Sequence, residues 1–145
     1  MDYRAIFEIS AAGMGVEKKR LEVATLNLAN MNSTAPAGTE GYRPLRVIAH
    51  AIKTDFGSIM DAQLSGVAQA AQTLEVVPSE VAPRMIKDPG HPYADAQGFV
   101  SYPGVDQGTE MITAMTALRA YEANVAAVGM ARAMATRALD IGGSR

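Results

Sequence analysis

A chain of 145 residues, 48% of them hydrophobic, can form one modest domain if its segments fold back on one another, and nothing in its length requires a second. The formal charge of −2 supplies no clustered positive field, which argues against nucleic acid or anionic lipid as a partner. The densest basic run, Lys18-Lys19-Arg20, reads as the solvated side of a helix. The absence of cysteine excludes disulfides, thiolate metal sites and cysteine nucleophiles together.

At the start of the chain, Met1-Asp2-Tyr3-Arg4 leads into a stretch in which Glu8 interrupts the apolar residues, so no charged-then-apolar signal peptide is visible. No stretch is long and apolar enough to span a membrane. A protein of this kind acting outside the cytoplasm is expected to leave by a route without a cleaved signal.

Residues 3–29 carry helical periodicity without proline. Phe7, Met14, Leu21 and Leu28 recur every seven residues, and Ile9, Val16 and Val23 form a second stripe on the same interval. This predicts a helix with two seams, roughly 40 Å long at 1.5 Å per residue. Asn30, Asn32, Ser33 and Thr34 compete for backbone hydrogen bonds and Pro36 cannot continue a helix, which places the end near Ala29.

The texture then changes. Tyr42 to Phe56 and Val67 to Val81 read as short strands, punctuated by Gly38, Gly41, Gly57 and Gly66. Asp88-Pro89-Gly90 has the central pair of a type II turn, and Pro103-Gly104 repeats the signal. Asp95-Ala96-Gln97-Gly98 is a further turn, after which Phe99 to Tyr102 makes one short strand.

A second long helix starts after Pro103-Gly104, with Asp106 or Thr109 as N-cap, and ends at Gly142-Gly143. Gly108 is expected to delay or loosen its start. Met111, Ala114, Leu118, Tyr121, Val125, Val128, Arg132, Ala135 and Leu139 follow alternating spacings of three and four, a coiled-coil seam in which only Arg132 is out of character. Met111, Met115, Met130 and Met134 sit at helical spacing and are expected in the core, although thioethers also make adaptable recognition surfaces.

The expected fold is mainly α with a small β insertion: long N- and C-terminal helices pairing as an antiparallel coiled coil around an irregular β-rich middle. Residues 1–32 and 106–145 form the paired helices, and 33–105 the turn-rich middle. If positions summing to 149 face one another, Leu28 meets Tyr121, Leu21 meets Val128, Met14 meets Ala135, and Glu17 falls opposite Arg132. The second seam of the first helix is then left to face neighbouring subunits.

The residues also resemble a known family. Asn27-Leu28-Ala29-Asn30-Met31-Asn32-Ser33-Thr34, closing a long N-terminal helix, is similar to the Asn-Leu-Ala-Asn-x-x-Thr element of flagellar axial proteins of the rod and hook. Gly41-Tyr42-Arg43, the run from Asp88 to Val100, and Arg119-Ala120-Tyr121-Glu122-Ala123-Asn124-Val125 extend the likeness in the right order. Asp106-Gln107-Gly108-Thr109-Glu110 departs from the family, which usually has an apolar pair there, and Ser58 to Ala71 does not align.

The resemblance implies a structural subunit of the bacterial flagellar basal-body proximal rod, exported unfolded by the flagellar type III apparatus and self-assembling into a tubular drive shaft and export channel. Its implied place is the periplasmic rod, and its implied partners are other rod proteins, copies of itself, the MS-ring and the export gate. The helices would line the inner tube. The assembly residues it points to, together with the seams, are Phe7, Met14, Leu21, Asn27, Leu28, Asn30, Met111, Leu118, Tyr121, Asn124, Val125 and Val128. Asn27, Asn30 and Asn32 equally suit local capping of the helix end.

Against this stand two other classes. An enzyme or metal protein would draw on His50, His91, Asp88 and Asp95, but the histidines form no helical His-x-x-x-His pair and His91 follows a turn. No phosphate-binding glycine loop or Gly-x-Ser-x-Gly elbow is present. No catalytic residue, metal ligand or cofactor is therefore assigned. A coiled-coil adaptor or export chaperone explains the helices but not the β sequence between them.

Overall fold

The computed structural model describes residues 3–36, 38–51 and 72–143. A 28-residue helix α1 (Tyr3–Asn30) is followed by strands β1 (Leu45–Ala51), β2 (Gln72–Pro78), β3 (Arg84–Lys87) and β4 (Phe99–Tyr102), and a 37-residue helix α2 (Gln107–Gly143) closes the order. This is the mainly α fold with a β insertion that the periodicity predicts. The chain divides into two compact units, one of Met1–Lys18, Ala49–Glu75 and Ala117–Arg145, the other of Lys19–Ile48 and Val76–Thr116.

Helix α1 ends where its polar run begins. The Ser33 N–H and hydroxyl both donate to the Asn30 carbonyl, at 3.0 and 2.8 Å, and turn the chain away. Asp106 is the N-cap of α2: its carboxylate accepts from the N–H groups of Gly108 and Thr109 at 2.8 and 3.3 Å. Gly108 therefore does not delay the helix, which begins at Gln107, because the cap already satisfies its N–H.

In the first unit, Gly13 of α1 faces Asn124 of α2. A Cβ at Gly13 would stand 2.9 Å from Asn124 Oδ1, so the glycine makes room for the amide. The register summing to 149 would instead bring Gly13 to Thr136, twelve positions away, and is corrected by this contact. Asn124 also donates from Nδ2 to the Ala120 carbonyl at 2.9 Å, which holds the amide close to its own helix.

In the second unit, Arg20, Val23 and Ala24 of α1 share a cleft with Thr109, Glu110 and Thr113 of α2 and with Leu45, Arg46 and Val47 of β1. Val23, Ala24 and Asn27 are buried there. The second stripe of α1 thus belongs largely to the chain's own core, since Val16 in the first unit and Val23 in the second are both buried. Only Ile9 of that stripe stays exposed.

The β region is two small sheets, β1 with β2 and β3 with β4. The Ser79 N–H donates to the Pro44 carbonyl at 2.6 Å, and Arg46 Nε to Ser79 Oγ at 3.1 Å, where β2 ends beside the start of β1. β3 and β4 are antiparallel, with Arg84 opposite Tyr102 and Lys87 opposite Phe99. β4 lies where the sequence places it, and Val100 is fully buried. β3 was not foreseen, because all four of its residues are exposed and it shows no hydrophobic alternation. The outer parts of the two broad strand predictions, residues 52–56 and 67–71, lie outside the described residues, as does all of the unaligned stretch 58–71.

The connection from β3 to β4 is held by short polar side chains. Asp88 O accepts from the His91 N–H at 3.2 Å and its carboxylate from the Gly90 N–H at 3.3 Å. Gly90 does not adopt positive φ, so this turn is not type II; the Asp88 carboxylate stabilises the ordinary turn geometry instead. Gly104 likewise lacks positive φ. It is needed for close approach, because a Cβ there would collide with the Ala82 carbonyl oxygen.

Candidate assembly surface

The alanine-rich composition of α2 decides which of its faces turns inward. Ala117 and Ala131 are buried, and Glu110, Ala114, Ala120, Asn124, Ala127, Val128 and Ala135 are half-buried. Small side chains let the rest of the chain approach the helix backbone closely. The inward face is therefore rotated from the predicted seam, of which only Ala114, Val128 and Ala135 stay half-buried. Leu118, Val125 and Arg132 face outward, whereas their predecessors Ala117, Asn124 and Ala131 face in.

That rotation leaves large apolar side chains in water. In the second unit Met111, Ile112 and Met115 are exposed, Ile112 by 67%. In the first unit Leu118, Tyr121, Val125, Met130 and Met134 are exposed, and Leu139 and Ile141 reach 75% and 78%. The four methionines expected in the core are thus all on the surface of the isolated subunit, because alanines fill the inward face. Exposed apolar side chains repeated along a helix are candidates for a contact surface.

The remaining residues assigned to assembly fall into two groups. Phe7, Met14, Leu21 and Leu28 of α1 are half-buried, as are Asn30, Asn124 and Val128. Asn30 donates from Nδ2 to the Leu26 carbonyl at 2.9 Å, a local back-bond on its own helix. Asn27 is different: it is 1% exposed and all its polar atoms are paired inside the subunit.

The Asn27 amide donates to the Leu45 carbonyl at 3.0 Å, and its Oδ1 accepts from the Leu45 N–H at 2.9 Å and the Tyr42 hydroxyl at 2.8 Å. Burial, with a smaller contribution from the nearby Glu110 carboxylate, raises the Tyr42 pKa above its ordinary value and keeps that hydroxyl a donor. No spacing in the sequence announces this three-way contact. The helical signal at Asn27 and the polar turn before Leu45 are legible, but their meeting is tertiary.

The residues weighed for metal or enzymatic chemistry are used structurally. The Asp95 carboxylate accepts from the N–H groups of Gln97 and Phe99 at 2.9 and 2.8 Å, and His91 Nδ1 accepts from the Tyr93 N–H at 3.1 Å. His50 lies 3.6 Å from Glu75, both exposed, on the facing strands β1 and β2. Among the described residues, no three His, Cys, Asp or Glu side chains come together as a metal site, and no helix is long and apolar enough to cross a membrane.

Residues 96–141, which include β4, the Asp106 cap and most of α2, match the family model of the flagellar basal body rod FlgEFG protein C-terminal. Over most of its length the chain is similar to proteins called flagellar basal-body rod protein FlgC. That of Salmonella typhimurium is 31% identical over 137 residues, covering 94% of this chain and 96% of the relative. That of Bacillus subtilis is 33% identical over 143 residues, covering 92% and 94%. The Aquifex aeolicus protein is 30% identical, with 97% of each chain covered.

Proposed function

The chain belongs to the FlgC family of flagellar basal-body rod proteins, and on that premise we propose that it is a structural rod subunit that polymerises through its terminal helices into the proximal rod. The relatives are rod components by name and match this chain nearly end to end, which supports a building block rather than a catalyst. The uncovered apolar face of α2 carries the finer reading. A monomer that leaves Leu118, Val125 and Leu139 in water has these side chains available for burial against a neighbour.

In this reading residues 1–32 and 106–145 build the inner tube, and residues 33–105 its outer layer. The helices pair antiparallel. Support comes from Gly13 lying against Asn124 in one unit and from Arg20 to Ala24 lining a cleft with Thr109 to Thr113 in the other. The pairing follows a small-residue face on α2, so Leu118, Tyr121 and Val125 point to other subunits. Partners are copies of itself and other rod proteins, with the MS-ring and export gate at the base. The subunit's place is the periplasmic rod.

Val125→Asp tests this directly. Val125 is 46% exposed, so an aspartate there stays hydrated in the free subunit and becomes a buried unpaired charge only against a neighbour. The variant is expected to show wild-type helicity by circular dichroism yet fail to enter basal bodies or support swimming. Normal swimming with normal incorporation would exclude this face from assembly.

A further inference from the structure

The start of β1 is organised by a helix side chain. Pro44 has no N–H to donate, so Leu45 carries the first complete pair of backbone groups of this segment. Asn27, eighteen residues earlier, engages both: its Nδ2 donates to the Leu45 carbonyl and its Oδ1 accepts from the Leu45 N–H. This two-bond exchange is what a neighbouring strand would offer. The Tyr42 hydroxyl closes the arrangement on the same oxygen.

We propose that the Asn27 amide is a latch coupling the last turns of α1 to the Tyr42–Leu45 segment, so that the two order and disorder as one step. The contact requires both partners. If α1 forms while Tyr42 to Leu45 stay away, the amide loses all three bonds and the cover that holds it at 1% exposure in the complete structure. If the segment is placed but the helix frays, Leu45 loses the partner for both backbone groups. Half-formed states therefore forgo all three bonds at once and are disfavoured relative to the complete arrangement. Pro44 is itself buried and accepts from the Ser79 N–H, so the ordering extends from the latch to the end of β2.

The coupling is a property of the single chain and does not depend on the rod reading. Where that reading holds, a neighbour gripping α1 would pass order to the β region through this side chain.

Amide hydrogen exchange on the full-length chain tests the latch, with the Gly98 and Phe99 amides of the β3–β4 connection as an internal reference. In Asn27→Ala the protection factor of the Leu45 amide should fall roughly tenfold or more while Gly98 and Phe99 keep theirs. Asn27→Asp keeps an acceptor for the Leu45 N–H but loses the donor to the Leu45 carbonyl, so Leu45 protection at neutral pH should fall between wild type and Asn27→Ala and rise below about pH 4, where a protonated carboxyl donates and accepts like the amide. If Asn27→Ala does not fold, Tyr42→Phe, which removes one bond and keeps the ring, is read in the same way. Unchanged Leu45 protection, or loss spread equally to Gly98 and Phe99, would overturn the latch.

Discussion

Gly98 has φ of +81°, and a Cβ there would stand 3.2 Å from Pro89 Cγ. Its N–H donates to the Asp95 carbonyl and its own carbonyl accepts from the Asp88 N–H, both at 2.9 Å, so one residue joins the two turns between β3 and β4. Gly98→Ala should destabilise by about 1–2 kcal/mol, measured by denaturant unfolding, because the left-handed backbone and the close contact act together. Tyr42 gives a pH signature. Its proton is held more tightly in the folded chain, so the associated stability is fully present below the unfolded value near 10.0 and is lost as pH rises through the raised folded value. Thermal melts should show this extra alkaline loss in the wild type and not in Tyr42→Phe.

At the scale of elements, α2 shows how an alanine-rich helix chooses its inward face. Close approach to small side chains fixes the orientation, and the larger apolar residues remain outside. Gly129 lies within this helix, exposed, and beyond its own stretch of helix no described atom lies within 4 Å of a Cβ built there. Gly129→Ala should therefore stabilise the free subunit by about 0.5–1 kcal/mol through helix propensity, read as a higher melting temperature. Asp106 anchors the start of the same helix, and Asp106→Ala should cost about 1 kcal/mol as both capping bonds are lost.

For the whole molecule, folding and assembly should separate by burial. Leu21 is half-buried, so Leu21→Asp places charge in the subunit's own interior and should lower its unfolding free energy by about 1–3 kcal/mol. Val125→Asp should leave that free energy nearly unchanged while blocking incorporation. Equal destabilisation of the isolated subunit by both variants would show that Val125 belongs to the subunit core. The exposed apolar residues of α2 make the free subunit's surface more hydrophobic than its charge alone suggests.

Heptad spacing and the proline-free runs were enough to delimit α1 and α2 almost to the residue, because helix ends are governed by local chemistry at Asn30, Ser33 and Asp106. The Asp95–Gly98 turn and β4 were legible for the same local reason. β3 was not, since four exposed residues carry no pattern, and its existence depends on pairing with β4. The orientation of the two helices was not legible either: periodicity marks apolar stripes without saying which one the rest of the chain will cover. Tertiary structure alone turned the alanine face of α2 inward, buried Val16 and Val23, and brought Asn27 to Leu45. Those outcomes rest on close packing and hydrogen-bond pairing between distant segments, which no local window of sequence contains.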